Sequence, residues 1–381
     1  MNKIFAYIIF INLIVNPFFI LHAAILDTSA KQAVMFDFKT QQLILDKNST
    51  EKMKPASMAK LMTIYIVFEK IKNKQLSLED KFVVSEKAWK KRGSRSFLEP
   101  GQNVTIEDLL RGVIIQSGND ASIVLAEGIS GTEDIFAELM NVVAKEIGMK
   151  NTVFKNSTGW PDPDQHTTAY DLAILSLKLI SEFPDLYKIF SETTFTFNGI
   201  KQGNRNPILY NNIVFGADGL KTGHTEESGY GLAASAIRKN LRFILVLNGL
   251  KSQRQRKEEA SRLLNSAFRE YKLLKLFSPG EKILDANVWF GEINKVPLVV
   301  DKEVFLLLNS IERRMMEVKV IWNDPIIAPV TAGQEVGSLV VKLSDANTLS
   351  FPVFVDVNIR KQGILNKINS TINYLIWGTI E

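Results

Sequence analysis

One predicted helix constrains this chain more than any other feature of its sequence. Residues 57–70 carry apolar side chains on nearly every side of that helix, namely Leu61, Met62, Ile64, Tyr65, Ile66, Val67 and Phe68. Such a helix must be covered by other elements on all sides, so it should lie inside a domain. The chain has 381 residues, enough for roughly two to three domains.

Strand patterns lie on both sides of the helical part of the chain. Residues 25–45 predict two short strands around a turn at 39–41. Residues 216–250 predict antiparallel strands with turns at 226–229 and 238–240. Strands at both ends with helices between them indicate an α+β fold.

Further helices are predicted inside the same region. One begins at Thr105, with Asp108 completing an imperfect capping box, breaks at 117–119 and resumes toward Glu127. A long helix follows the last strands, with one face formed by Ala260, Leu263, Leu264, Ala267, Tyr271 and Leu274. We therefore predict an α+β domain over residues 24–276.

The pattern changes after the boundary signal at residues 277–280. Apolar residues then alternate with other residues in two runs, which are Met316, Val318, Val320 and Trp322, and Phe351, Val353, Val355 and Val357. This alternation predicts a small antiparallel β-domain over residues 277–359.

The first segment of the chain has the pattern of a secretory signal. Residues 1–23 begin with Lys3, run apolar over 4–21 and end in small residues. An uncleaved membrane anchor is the alternative, but Pro17 and polar residues leave the run short of about 20 apolar residues. We expect export and removal of residues 1–23.

The last segment, residues 360–381, predicts an amphipathic helix. Its apolar face is formed by Ile364, Leu365, Ile368, Ile372, Leu375 and Ile376. Nearby cations are Arg360, Lys361 and Lys367. The pattern fits a helix lying on an anionic membrane surface, and it also fits a helix packed on its own domain.

The amino-acid composition of the chain excludes several kinds of catalytic and metal-binding site. The chain has no cysteine and three histidines, which are His22, His166 and His224, so disulfides, thiolate catalysis and cysteine-bound zinc are excluded. A classical triad around His166 is disfavoured because no G-x-S-x-G motif is present. The formal net charge of +5 without a long basic block gives no reason to expect nucleic-acid binding.

A serine and a lysine at the start of the buried helix form a candidate nucleophile pair. Ser57 and Lys60 are three residues apart, so on a helix the amine can reach the hydroxyl and take its proton. Ser49 and Lys52 have the same spacing, but Pro55 follows them and would clash with a continuing helix. We therefore favour Ser57 and Lys60.

Two further triplets raise the specificity of this assignment. They are Ser117-Gly118-Asn119 and Lys221-Thr222-Gly223, and together with Ser57-Met58-Ala59-Lys60 they stand in the order typical of penicillin-binding proteins and serine β-lactamases. The third motif continues through His224 and Thr225. With that continuation, the sequence resembles the D-alanyl-D-alanine carboxypeptidases among the low-molecular-weight penicillin-binding proteins.

The resemblance covers nearly the whole chain after residue 23, including 89–98, 156–173, the β-domain and the tail. It implies a β-lactamase/transpeptidase-like catalytic fold and a substrate that is the peptidoglycan stem peptide, cut between its terminal D-alanines. It also implies acylation by β-lactam antibiotics and no metal or organic cofactor. The expected location is the periplasm, peripheral on the outer face of the bacterial cytoplasmic membrane.

The resemblance also assigns catalytic roles by position. Ser57 would be the nucleophile, and Lys60 its base, kept neutral by burial and by the nearby cation Lys221. Ser117 would relay a proton to the leaving amine, and Asn119 would hold a substrate carbonyl.

The remaining assignments concern substrate binding. Lys221, Thr222 and Gly223 would form the edge strand along which the peptide lies, with the small Gly223 admitting the substrate. The oxyanion hole would use the backbone N–H groups of Ser57 and His224. For the substrate carboxylate, the two candidate arginines are Arg256 and, less securely aligned, Arg205.

Three alternatives remain open from the sequence. A DD-endopeptidase or a β-lactamase could use the same scaffold, although the second motif is Ser-Gly-Asn rather than Ser-Asp-Asn. A non-catalytic β-lactam sensor or wall-binding protein could keep the fold without turnover, although the intact set of motif residues argues against a decayed site.

Overall fold

The computed structural model describes residues 4–9, 26–344 and 347–363. The chain forms two compact units, residues 25–269 and residues 270–381 together with 1–24. Residues beyond 363, which include nearly all of the predicted tail helix, lie outside the described part of the chain. Of the predicted signal segment, only strand β1 (Ile4–Ile9) is described. Within these described ranges, no helix is long and apolar enough to cross a membrane.

The first unit contains nine strands and seven α-helices in its described part. Its strands are Gln32–Asp37 (β2), Leu43–Lys47 (β3), Lys81–Val83 (β4), Asn103–Thr105 (β5), Thr194–Phe197 (β6), Ile200–Gly203 (β7), Ala217–Thr225 (β8), Gly229–Arg238 (β9) and Leu241–Leu250 (β10). Its helices are Lys60–Lys72 (α1), Glu86–Lys90 (α2), Ile106–Ile114 (α3), Asn119–Ser130 (α4), Glu133–Glu146 (α5), Ala169–Glu182 (α6) and Gln253–Glu270 (α7). Three short 3₁₀ turns complete it, at Ala56–Ala59, Leu186–Ser191 and Pro207–Leu209.

The main sheet of this unit has the strand order β3-β2-β10-β9-β8, and all its pairings are antiparallel. The predicted α+β class and the predicted turns between its strands are confirmed. Strand β8 is an edge strand, so one side of its backbone is free to pair with a ligand. This edge carries the Lys-Thr-Gly motif.

Helix α1 is buried as predicted, but it begins later than the sequence pattern suggested. Residues 60–68 are all buried, while Ser57 lies in the preceding 3₁₀ turn. The Met58 N–H donates to the carbonyl of Pro55 at 3.1 Å, the i to i+3 spacing of a 3₁₀ turn. The nucleophile candidate is therefore held on a tight turn at the entrance to the helix.

The predicted helical region after Thr105 is confirmed, including its interruption. Thr105 accepts the N–H of Asp108 at 3.1 Å and caps α3, and α4 begins at Asn119. Between the two helices, Ser117 has φ of 60°, a left-handed conformation that non-glycine residues adopt at a cost and that is common at functional sites.

The second unit is rich in strands, as predicted. Its strands after β1 are Lys272–Phe277 (β11), Lys282–Trp289 (β12), Lys295–Val299 (β13), Val304–Leu308 (β14), Glu317–Asn323 (β15), Ile326–Ile327 (β16), Glu335–Ser344 (β17) and Asn347–Val355 (β18), with one short helix, Ser310–Met315 (α8). Its larger sheet has the order β1-β15-β17-β18-β13-β12-β16. In β15 the alternating Val318, Val320 and Trp322 face the core.

One helix prediction was wrong at its end. Helix α7 stops at Glu270, and β11 begins at Lys272. Tyr271 and Leu274 therefore do not continue the helical face, because Leu274 pairs with Leu306 in the β11–β14 ladder. The helical spacing of the apolar residues continued past the end of the helix by coincidence.

Candidate active site

Ser57 and Lys60 meet at the start of the buried helix. Lys60 Nζ donates to Ser57 Oγ at 3.2 Å, to Asn119 Oδ1 at 2.7 Å and to the carbonyl oxygen of Thr158 at 2.5 Å. The Lys60 side chain has no exposed surface, and three oxygens hold its amine in place. Ser57 keeps partial exposure, which leaves its hydroxyl open to a substrate.

Burial, and after it the positive charge of Arg205, lower the pKa of Lys60 to about 7. An amine with this pKa is neutral in a large fraction of molecules at pH 7, so it can accept a proton from Ser57. The sequence led us to expect Lys221 as the neighbouring cation acting on Lys60, but Arg205 is the larger source of repulsion.

The Ser-Gly-Asn turn and the Lys-Thr-Gly strand close the site opposite the nucleophile. Lys221 Nζ donates to Ser117 Oγ at 2.8 Å and to the Thr222 carbonyl at 3.2 Å. Burial lowers the pKa of Lys221 well below its usual value, and the charge of Lys60 acts in the same direction. The Asn119 amide donates to the carbonyl of Arg92 at 2.8 Å, which fixes its orientation.

Gly118 is required by packing. A Cβ at this position would overlap Ser96 Oγ and lie 2.8 Å from Asp120 Oδ1. The buried Asp120 carboxylate accepts the N–H groups of Ser96 at 2.8 Å and Leu98 at 3.3 Å. The turn and the segment around Ser96 are thus locked together beside the site.

Gly223 is packed tightly against the turn that carries the nucleophile. A Cβ on Gly223 would lie 3.0 Å from the Pro55 carbonyl and 3.3 Å from Ala56 Cβ. The missing side chain therefore makes room for the nucleophile turn. The room for the substrate that the sequence suggested stays a prediction. Strand β8 and the Ser57 turn pack directly against each other through this residue.

The two residues that flank Gly223 are placed differently. Thr222 is buried on β8. The side chain of His224 is exposed, and its ring stacks on Tyr230 with 3.9 Å between ring centroids. This contact holds the imidazole on the strand surface.

The two candidate arginines occupy different environments. Arg256 is 6% exposed and donates to the carbonyls of Gly223 and Gly231, each at 3.4 Å. Burial lowers the pKa of Arg256 to about 10. Arg205 keeps solvent access, partial burial lowers its pKa, and its charge lowers the pKa values of Lys60 and Lys221. Arg256 therefore holds backbone carbonyls of β8 and β9 by hydrogen bonds. Arg205 instead lowers the pKa values of the buried lysines.

Several residues at the site were not singled out from the sequence. Thr158 and Arg92 contribute backbone carbonyls, and no sequence pattern reports the direction of a carbonyl. Asp120 could have been noticed, because an acidic residue in the first turn of an apolar helix is a candidate for a buried acceptor. Glu133 accepts the Ser157 hydroxyl at 2.8 Å and contacts Lys87 at 3.1 Å.

The rejected alternatives are not assembled in the structure. Ser49 is buried and Lys52 is exposed on a non-helical segment, so they do not form a pair like Ser57 and Lys60. His166 Nδ1 lies 3.0 Å from the Asp164 backbone carbonyl. Among the residues that the structure describes, no cluster of three or more histidine or acidic side chains could hold a metal ion.

An antiparallel sheet flanked by helices carries all the motif residues within one compact unit. The serine and lysine at a buried helix, the Ser-Gly-Asn turn and the Lys-Thr-Gly edge strand define an active-site serine enzyme of the penicillin-binding protein class.

Comparisons with known proteins narrow this class. The family described as D-alanyl-D-alanine carboxypeptidase matches residues 20–252, and the family described as penicillin-binding protein 5, C-terminal domain, matches residues 271–361. The D-alanyl-D-alanine carboxypeptidase DacC of Escherichia coli is 35% identical over 89% of this chain and 86% of that protein. The crystal structure of penicillin-binding protein 5 from Haemophilus influenzae has a TM-score of 0.79 and 34% identity, covering 88% of this chain and 98% of that one.

The D-alanyl-D-alanine endopeptidase of Pseudomonas aeruginosa is less similar, with 28% identity over 54% of this chain and 66% of that protein. The chain belongs to the D-alanyl-D-alanine carboxypeptidase family of penicillin-binding proteins. It is a serine-type carboxypeptidase and thus a hydrolase, so the resemblance and the class of activity predicted from the motifs are confirmed.

Proposed function

We propose that this protein removes the terminal D-alanine from peptidoglycan stem pentapeptides through an acyl-enzyme on Ser57. The observation that carries the proposal is the Ser57–Lys60 contact, in which a buried amine with a pKa of about 7 lies 3.2 Å from a half-buried hydroxyl. Such an amine can activate a serine without a histidine.

In the proposed acylation, neutral Lys60 takes the Ser57 proton as Oγ attacks the carbonyl of the penultimate D-alanine. The oxyanion is stabilised by the backbone N–H groups of Ser57 and His224. The bond to the terminal D-alanine then breaks. Its amine receives the hydroxyl proton of Ser117, whose oxygen already accepts from Lys221. The proton that Lys60 took from Ser57 then restores the Ser117 hydroxyl, which leaves Lys60 neutral again.

In the proposed deacylation, water attacks the ester carbonyl while neutral Lys60 accepts its proton, and Lys60 then returns this proton to Ser57 Oγ as the ester bond breaks. The products are the shortened peptide and free Ser57. A β-lactam would enter by the same attack, with its ring amide as the bond that breaks and the opened ring retained as an ester on Ser57.

The substrate peptide would lie along the free edge of β8. Its terminal carboxylate would lie toward Lys221, Thr222 and Arg205, because the charge of Arg205 acts at this end of the strand. The upstream residues of the peptide would then run toward Thr225, antiparallel to β8. Arg256 would act through the carbonyl of Gly223 that it holds.

We also propose that the protein is exported, works in the periplasm and associates with the outer face of the cytoplasmic membrane. The signal pattern of residues 1–23 supports export. The amphipathic pattern of residues 360–381 and its cations support surface attachment.

The activity is tested by incubating the purified protein with a pentapeptide that ends in D-Ala-D-Ala and measuring released D-alanine. We expect release by the unaltered protein and none by the Ser57→Ala variant. Release that survives Ser57→Ala would overturn the assigned nucleophile, and absence of release from the unaltered protein would overturn the activity.

A further inference from the structure

We propose that a pocket in the second unit binds a short stretch of a chain of N-acetylated amino sugars, the kind of chain that carries the stem peptides of peptidoglycan. The inference goes beyond the proposed function, because the second unit contains none of the three catalytic motifs and sugar binding requires no turnover. Its failure would leave the carboxypeptidase activity unaffected.

The pocket lies where β12 and β15 end and β17 begins. Its volume is about 500 Å³, within the range of roughly 300–1,000 Å³ that is usual for sites of small ligands. Apolar side chains and polar side chains both line it. The wall therefore offers an apolar surface together with hydrogen-bonding groups, and all of it belongs to one compact unit.

A bulge in β17 shapes one side of the pocket. The pairing of β17 with β18 shifts its register between Glu335 and Gly337. Such bulges re-aim side chains and are frequent beside functional sites. A Cβ on Gly337 would overlap the carbonyl oxygen of Ile321, so glycine is needed for the close approach of β17 to β15. The irregular start of β17 contributes Glu335 and Val336 to the pocket wall.

The indole of Trp289 supplies a flat apolar wall. Its ring stacks on Phe290, with 4.6 Å between the ring centroids and 11° between the ring planes, which restricts its rotation. Trp289 pairs with Ile327 between β12 and β16, and both side chains line the pocket. Ile327 is 65% exposed. A sugar ring has a face of C–H groups that can pack on such a surface, which removes apolar area from water.

Asp324 supplies acceptors of fixed orientation. Its Oδ1 accepts the indole N–H of Trp322 at 3.3 Å, and its Oδ2 accepts the side-chain amide of Asn287 at 3.3 Å. Each carboxylate oxygen has a second lone pair, so both can also accept from a ligand. Two neighbouring hydroxyl groups of a sugar, or a hydroxyl and an amide N–H, can bind a carboxylate that is held in this way.

The other polar side chains favour a sugar over a basic peptide. Asn323 and Gln334 each carry N–H donors and a carbonyl acceptor, and Glu335 adds a second carboxylate. The side-chain ends of a basic peptide offer only donors, so they would not use the amide N–H groups. An acetamido group has one N–H and one carbonyl oxygen, which match a carboxylate and an amide N–H of the wall.

The test is a ligand-detected NMR titration of the purified full-length protein with the tetramer of β-1,4-linked N-acetylglucosamine. We expect binding with a Kd of about 1 mM or below. Trp289→Ala and Asp324→Asn should each weaken it about tenfold or more. Asp324→Asn preserves the size of the side chain, so it tests the pocket independently of any effect of Trp289→Ala on folding.

Two controls accompany the pocket variants. Asp301→Asn changes an exposed carboxylate of the same unit that does not line the pocket, and it should leave the Kd unchanged. The glucose tetramer with the same linkage lacks acetamido groups and should bind about tenfold more weakly. Equal binding of the two tetramers would overturn the assignment of the pocket to N-acetylated amino sugars.

Three further results would overturn the inference. The first is absence of binding by the unaltered protein, or equal binding by the unaltered protein and both pocket variants. The second is binding of a lysine nonapeptide but of neither sugar, which would assign the pocket to a basic protein segment. The third is loss of sugar binding after acylation with a penicillin, which would place the sugar at the serine site. D-alanine release from a pentapeptide is measured separately, so the proposed function is judged on its own result.

Discussion

Lys60 Nζ lies 3.2 Å from Ser57 Oγ although the lysine has no exposed surface. The 3₁₀ turn that carries the serine and the first residue of α1, which is the lysine, are consecutive elements, so the contact is made locally. Local geometry alone would leave this lysine charged. Burial lowers its pKa, so that it is partly neutral near pH 7.

The rate of acylation by a fluorescent penicillin should rise with pH through a midpoint of about 7. Only the neutral amine can accept the Ser57 proton, and Lys60 loses its own proton as the pH rises through its lowered pKa of about 7. Arg205→Gln removes a nearby positive charge, so the pKa of Lys60 and the midpoint should both move upward. The exposed Lys188→Gln variant is the control, and a midpoint that stays in place or falls in Arg205→Gln would contradict this cause.

The Gly223→Ala variant should lower the rate of acylation by about 10²-fold while the protein stays folded. Its Cβ would lie 3.0 Å from the Pro55 carbonyl and displace the turn that holds Ser57, and small displacements of a nucleophile are costly. Stopped-flow or gel-based acylation measures the effect. Gly363→Ala is the control, because a Cβ there meets nothing within 4 Å, and equal acylation of the two variants would disprove the packing role of Gly223.

Replacement of Arg256 by glutamine should reduce the free energy of unfolding by about 1–3 kcal/mol, because two carbonyls lose a charged donor. Denaturant unfolding gives this value. Arg254→Gln removes a neighbouring guanidinium that is 85% exposed and should change stability by less than about 0.5 kcal/mol. If Arg256→Gln instead raised KM for the peptide without any loss of stability, Arg256 would be a direct substrate ligand.

Truncation after Gly363 should release the protein from membranes without loss of penicillin acylation, since the amphipathic segment is removed and the catalytic unit is left whole. Cutting earlier is less informative, because Ile359 is buried in the core of the second unit. Fractionation of cells that express each form measures the effect. Unchanged membrane association of the truncated form would point to residues 1–23 as an uncleaved anchor.

The features that the sequence predicted well are those set by neighbouring residues. The all-round apolar pattern of α1, the interruption at Ser117–Asn119 and the turns between β8, β9 and β10 follow from local periodicity and from turn-forming residues. The three motifs could be recognised because their order along the chain is specific. Their meeting in space at Lys60, Asn119 and Lys221 agrees with that recognition.

The features that could not be predicted from the sequence depend on contacts between residues far apart in the chain. The carbonyl of Thr158 that holds Lys60, the packing of Gly223 against Pro55 and the burial of Arg256 beneath β8 each join residues far apart in the chain. The end of α7 was misplaced because Leu274 fits a helical spacing equally well, and its pairing with Leu306 decided the outcome.

The most direct measurement is the location of the covalent adduct after incubation with a β-lactam. The protein, denatured and digested, should yield one peptide heavier by the mass of the intact β-lactam, with the modification on Ser57. The Ser57→Ala variant should carry no adduct, although its thermal unfolding midpoint should equal that of the unaltered protein. An adduct on Ser49 or on any other residue, or equal labelling of the Ser57→Ala variant, would contradict the assignment of Ser57 as the nucleophile.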